Sequence, residues 1–169
     1  EVSCNGRGYA GRFEVRPHPQ GRLRLFNLVD LETYVEGVVA SELPLWSARP
    51  AELQAQAIAA RTFALHTMAM RGAFPLTPSP ELAPLSDSVA DQAYGGRPAN
   101  GLRDVEEDAL RERMENAVRT AVAQTRGRVL TRQGRLEDVR YHASCGGRTS
   151  DIEQVFPEAR PGSTGAECP

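Results

Sequence analysis

Apolar positions along this chain change period from strand-like to helix-like and back. Phe13 and Val15, then Leu23 and Leu25, alternate with polar residues on either side of Pro17-His18-Pro19-Gln20-Gly21. That period of two predicts an antiparallel hairpin over 11–16 and 22–26. From Leu31 onward the apolar positions are Leu31, Tyr34, Val35, Val38 and Val39. They fall at i, i+3, i+4, i+7 and i+8, one face of a helix over 31–40 with Asp30 as its N-cap. Gly37 falls on the other side and weakens that helix slightly. Pro50 suits a first helical turn and Gly72 a stop, which predicts a second helix over 51–71. Its many alanines suit close packing on several sides. A third helix is predicted over 104–125, with Leu110, Met114, Ala117, Val118, Ala121 and Val122 on one face and Gly127 beyond it. Segments 129–131 and 136–143 then form a second strand pair around Gln133-Gly134.

Strands first, helices in the middle and strands again argue for an α+β fold. The expected architecture is a single domain over 1–169, two small antiparallel β pairs with three main helices around a substrate groove. At 169 residues such a fold hides roughly 68–70% of its unfolded surface, enough for a core without metal. The exception to regular structure is 73–103, where Pro75, Pro78, Pro80, Pro84 and Pro98 break any periodicity and Gly95-Gly96 mark a turn. A loop of that length is functional or disordered; order is expected near 85–94 and mobility near 98–102.

The bulk composition excludes more than it assigns. Net charge is −2, so no nucleic-acid footprint is expected. All 20 basic residues are Arg, which compositional drift in a GC-rich genome explains better than guanidinium chemistry. No apolar run approaches the roughly 20 residues that span a bilayer. The chain begins at Glu1 without Met and reads as a trimmed fragment, so the missing signal peptide carries no information. Cys4, Cys145 and Cys168 permit one intramolecular disulfide with one thiol left over. Cys145–Cys168 is the first choice, because it would tie the Gly/Pro-rich tail to the strand region at a gain of about 3 kcal/mol. Cys4–Cys168 is the alternative. Either link points outside the cytoplasm.

Candidate chemistry concentrates at Glu42. It follows the first helix, precedes the apolar run Leu43-Pro44-Leu45-Trp46, and faces the second helix with Gln54, Gln56, Arg61 and Thr62. An acid sheltered between two helices beside aliphatic and aromatic side chains is suited to proton donation at a glycosidic bond. Alone, any single Glu is better explained as an ion-pair partner, here of Arg61. A cysteine-hydrolase pairing of His142 with Cys145 fails because residues three apart on a regular strand face opposite sides. Cys4, His142, Cys145 and Cys168 lack tight metal-binding spacing.

Several segments together resemble the stage II sporulation protein D family, whose catalytic domain is shared with amidase-enhancer proteins. In order they are Asn27 with Leu31-Glu32-Thr33-Tyr34-Val35, Gly37-Val38-Val39-Ala40-Ser41-Glu42-Leu43-Pro44, and Leu53-Gln54-Ala55-Gln56-Ala57-Ile58-Ala59-Ala60-Arg61-Thr62-Phe63. Ser86-Asp87 and Gln92-Ala93-Tyr94-Gly95-Gly96 follow, then Ala117-Val118, Thr125-Arg126-Gly127 and Tyr141-His142-Ala143-Ser144-Cys145-Gly146-Gly147-Arg148-Thr149.

The resemblance implies a lytic transglycosylase that cleaves peptidoglycan glycan strands, preferably stripped of stem peptides, and leaves anhydro-muramic ends. It puts the catalytic glutamate at Glu42 and implies no cofactor. Substrate contacts are expected from Gln56, Arg61, Gln92, Tyr94, Tyr141, His142, Ser144 and Thr149. Four of them have a plainer structural role available: Arg61 as ion-pair partner of Glu42 or Asp87, the tyrosines as caps on a core edge, His142 as a packed side chain. Partners would be glycan strands and a cell-wall amidase, in an extracytoplasmic location. Three departures stand out. Gln54 replaces a frequent Lys; 86–91 lacks the Cys and His that bind zinc in some members, so no metal is expected; and Cys145 replaces Ser or Thr, which fits the disulfide. The rival reading is a non-catalytic peptidoglycan-binding or amidase-enhancer module.

Overall fold

The computed structural model describes residues 2–18, 20–72, 85–88, 90–142 and 146–156. Four strands open the chain: β1 (Val2–Cys4), β2 (Arg7–Tyr9), β3 (Arg12–Pro17) and β4 (Leu23–Leu28). They pair as two separate antiparallel ribbons, Val2 opposite Tyr9 in one and Arg12 opposite Leu28 in the other. The second ribbon is the predicted hairpin. The first went unpredicted, although Asn5-Gly6 was its signal: φ values of 49° and 71° are the left-handed pair that a two-residue turn requires. Gln133-Gly134 repeats that geometry between β5 (Thr131–Arg132) and β6 (Arg135–Leu136). This ribbon is shorter than the expected pair, because 137–142 lies outside any ladder.

The helices are α1 (Leu31–Glu42), α2 (Pro50–Met70), α3 (Asp108–Gln124) and the single turn α4 (Ile152–Val155). Asp30 caps α1 as expected, its Oδ1 accepting the Thr33 amide at 3.0 Å. The helix runs two residues past the predicted end and so carries Glu42 in its last turn. At the start of α2 the Glu52 carboxylate accepts the Arg49 amide at 2.8 Å. α3 starts about a turn later than the periodicity suggested.

The core lies where these three helices meet. Val35, Val38 and Val39 of α1 are fully enclosed against Leu53, Ala57, Ala60 and Ala64 of α2 and Val118, Ala121 and Val122 of α3. Each valine so buried stabilises by roughly 1.5 kcal/mol or more. The alanine face of α2 leaves room for its neighbours' backbones. Segment 98–102, expected to be mobile, instead forms a 3-10 helix against α1 with Pro98 and Leu102 buried. The proline run at 73–84 lies outside the described residues.

Gly37 corrects the sequence reading. It is buried, and a Cβ there would stand 2.3 Å from the Gly96 carbonyl oxygen and 2.6 Å from the Tyr94 ring. Glycine is therefore what lets 94–96 cross directly over α1. Gly96, at φ 87°, turns the crossing segment in a region that other residues rarely adopt. Asn100 holds it down, its Nδ2 donating to the Gly8 and Gly95 carbonyls at 2.7 Å each.

Candidate functional site

That crossing places one backbone amide on the predicted acid. Ala93 N–H donates to Glu42 Oε1 at 2.8 Å, and Oε2 has no hydrogen-bond partner among the described residues. Glu42 makes no ion pair among the described residues. Its expected neighbour Leu43 packs on the core, but Trp46 is 77% exposed. The shelter comes from 92–94 instead. Gly95 N–H donates to Ser41 Oγ at 3.0 Å, which locks the same crossing beside the acid.

A buried polar chain runs beneath. Tyr34 OH donates to Gln92 Oε1 at 3.1 Å, and Gln92 Nε2 donates to Tyr141 OH at 2.7 Å and to the Ala60 carbonyl at 3.3 Å. Burial pushes both phenols well above the ordinary tyrosine value, and the Glu42 charge adds to the effect. The Tyr141 phenol therefore keeps its proton while its oxygen accepts from Gln92. Gln56 sits next to that hydroxyl, and its buried Nε2 has no hydrogen bond of full geometry among the described residues. Leaving such a donor unmade costs about 1–3 kcal/mol.

Asp91, the neighbouring carboxylate, is held differently. Arg71 grips it with two hydrogen bonds of 2.7 and 2.9 Å, and Ser86 N–H donates to it at 2.6 Å. Burial alone would raise its pKa; these partners more than offset that and leave it below the usual carboxylate value. The site thus holds an ion-paired carboxylate and, in Glu42, one with an oxygen unpartnered among the described residues.

Other predicted residues fall elsewhere. Arg61 is 1% exposed and pairs with Glu32, at 2.7 and 3.0 Å, not with Glu42 or Asp87. Its remaining donors reach the Ala57 and Arg128 carbonyls, so it is an interior clasp joining α1, α2 and the segment after α3. Gln92 is equally enclosed, and Tyr94 is buried with its hydroxyl on Asn27 Oδ1 at 2.8 Å. All three present little surface to a ligand. Gln54 bonds to Gln124 of α3. Tyr141 is half-buried and His142 exposed. Thr149 lines a separate shallow cavity of about 180 Å³ with Arg148, Ser150, Asp151 and Gln154. Ser144, Cys145 and Cys168 lie outside the described residues, and Cys4 is half-buried and makes no disulfide among the described residues. Among the described residues, no group of three His, Cys, Asp or Glu is placed to hold a metal, and no helix is long and apolar enough to cross a membrane.

Two members of the cluster were missed from sequence. Tyr34 was counted as part of an apolar stripe, though a tyrosine there carries a hydroxyl that must find a partner once buried. The Ala93 amide leaves no trace in residue identity at all.

Comparison with known proteins gives consistent results. The profile of the family described as Stage II sporulation protein matches residues 19–132. An uncharacterized protein of Brachyspira hyodysenteriae (strain ATCC 49526 / WA1) is 30% identical over 162 residues, covering 94% of this chain and 37% of its own. Stage II sporulation protein D of Bacillus subtilis (strain 168) is 30% identical over 133 residues, 79% of this chain and 37% of its own. The protein of that name from Bacillus amyloliquefaciens is 29% identical over 135 residues, with the same coverages. The chain thus spans about 37% of the length of these relatives.

Proposed function

The chain belongs to the stage II sporulation protein family, and from that premise we propose that it is a peptidoglycan lytic transglycosylase with Glu42 as its acid and base. Glu42 carries the proposal, since one oxygen is fixed by the Ala93 amide and the other has no hydrogen-bond partner among the described residues. Hydrolysis of a glycosidic bond ordinarily uses two carboxyl groups. Here the second, Asp91, is committed to Arg71 and Ser86, which favours a one-carboxylate route.

In that route the Glu42 acid gives its proton to the bridging oxygen as the muramic C1–O bond breaks. The resulting carboxylate takes the proton of the same sugar's C6 hydroxyl as that oxygen bonds to C1. The products are a free hydroxyl on the leaving sugar and a 1,6-anhydro ring, with Glu42 protonated again. Tyr141, a neutral phenol beside Glu42, and Gln56 next to it, whose Nε2 has no hydrogen bond of full geometry among the described residues, are the proposed substrate contacts. His142, Ser144 and Thr149 remain proposed contacts on the chemistry of their side chains. Such a substrate puts the working site outside the cytoplasm.

Incubation with stem-peptide-free glycan strands, followed by mass spectrometry, tests this reading. Anhydro-muramic ends are expected from the native protein, and a loss of at least about a thousandfold in Glu42→Gln, in line with removal of a general acid. An active Glu42→Gln protein would refute the assignment. Strand binding without anhydro ends would select the non-catalytic module instead.

A further inference from the structure

The loop after Glu42 turns two leucines inward and one indole outward. Ser47 N–H and Ala48 N–H both return to the Pro44 carbonyl, at 3.0 and 3.1 Å, which packs Leu43 and Leu45 on the core. The same turn leaves Trp46 77% exposed. Trp46 walls a groove of about 470 Å³ whose apolar lining is Leu102, Val105, Leu110 and Met114. Gly101 and the acidic residues Asp104, Glu106 and Glu107 complete the lining. The three carboxylates are exposed and make no ion pair among the described residues.

We propose that this groove docks a basic segment of a protein partner through an apolar anchor residue. The volume falls within the range that buries a compact ligand or a few side chains. The charge decides what kind. Among the described residues no Arg lines the groove; Arg111 nearby is taken by Asp108 and the Val105 carbonyl, and Arg103 by the Gly6 carbonyl. Acidic residues at the start of α3 also complement its dipole, which accounts for the carboxylates but not for an indole left in water. Tryptophan beside carboxylates is a familiar sugar platform as well. Glycan strands bared of peptides, however, carry lactyl carboxylates, and these would meet three like charges. A cationic peptide meets opposite ones.

Trp46 is the single tryptophan of the chain, so its emission reports occupancy directly. The probe is a short synthetic peptide alternating Leu and Arg, compared with its Leu/Glu counterpart. The Leu/Arg peptide is expected to shift the emission to the blue, with a Kd that weakens as salt rises. With a labelled peptide read by anisotropy, Trp46→Ala and the triple variant Asp104→Asn/Glu106→Gln/Glu107→Gln should each weaken binding at least about tenfold, which is 1.4 kcal/mol. Glu42→Gln should bind as the native protein does, which separates this proposal from the enzymatic one. Equal binding of the Leu/Glu peptide, binding indifferent to both variants, or an emission shift produced by bare glycan strands and not by the Leu/Arg peptide would each overturn it.

Discussion

Gly37→Ala tests whether the crossing over α1 organises the site, because local and tertiary reasoning disagree on the sign of its effect. In a helix interior, alanine in place of glycine gains about 1 kcal/mol. Were Gly37 on an open face, the variant would be more stable. The structure puts the new methyl 2.3 Å from a backbone oxygen and 2.6 Å from the Tyr94 ring, where real contacts are more than an ångström longer. Tyr94 is hydrogen-bonded at its far end and cannot swing freely, so the 94–96 backbone must lift. Overpacking of this kind costs roughly 1–3 kcal/mol, and contact with backbone favours the upper end. Strain on the Ser41 and Asn100 anchors adds about 1 kcal/mol for each hydrogen bond lost. The net is a destabilisation of about 1–3 kcal/mol, or roughly 2–12 °C in Tm for a chain of this size. Thermal unfolding followed by circular dichroism measures it, with Ala117→Gly on the exposed side of α3 calibrating the propensity term at about 1 kcal/mol in the opposite sense. Because Ala93 directly precedes the lifted segment and its amide holds Glu42, anhydro-muramic product should fall along with Tm. A Gly37→Ala protein as stable as the parent would refute the crossing as described.

Three further outcomes follow from charge and protonation. Burial raises the pKa of the Tyr94 hydroxyl to about 12 and those of Tyr34 and Tyr141 further, so the folded state holds these protons more tightly than the unfolded chain does. Their contribution is fully present below about pH 10, the unfolded value, and is lost as pH rises through the folded ones; phenolate absorbance should therefore appear together with unfolding rather than before it. The Asp91 carboxyl is shifted down, so its contribution is present above the unfolded value and disappears as pH falls through the folded one. Asp91→Asn should cost about 1–3 kcal/mol in denaturant titration, less than a fully buried pair because Arg71 is 41% exposed, and should flatten the acid limb; an unchanged acid limb would contradict the Arg71 clasp. Glu42→Gln should lose activity at unchanged Tm, since the amide oxygen can still accept from Ala93; a large drop in Tm would mean that Glu42 is structural.

Much of the fold was legible because it is written in local chemistry. The α1 stripe, the Asp30 cap, the Pro50 start and the turns at Gly72, Gly127 and Gln133-Gly134 depend on residue type and spacing over a few positions, and each stands where it was expected. Glu42 at the end of α1 was legible too. The later start of α3, the shortness of β6 and the 3-10 helix at Pro98–Leu102 were not, since packing decides them.

The site divides along the same line. Sequence alone supplied the helix, through its period, and Glu42 as a candidate acid, through the order of the resembling segments. Tertiary structure decided that Arg61 clasps Glu32, that Trp46 faces water while Leu43 and Leu45 do not, and that Gly37 is a crossing point. It also brought the Ala93 amide to Glu42 and Gln92 between two tyrosines, across gaps of 51, 58 and 49 positions. Periodicity carries information only across a few turns of chain, whereas a carboxylate's chemistry depends on whichever groups the fold brings within 3 Å of its oxygens.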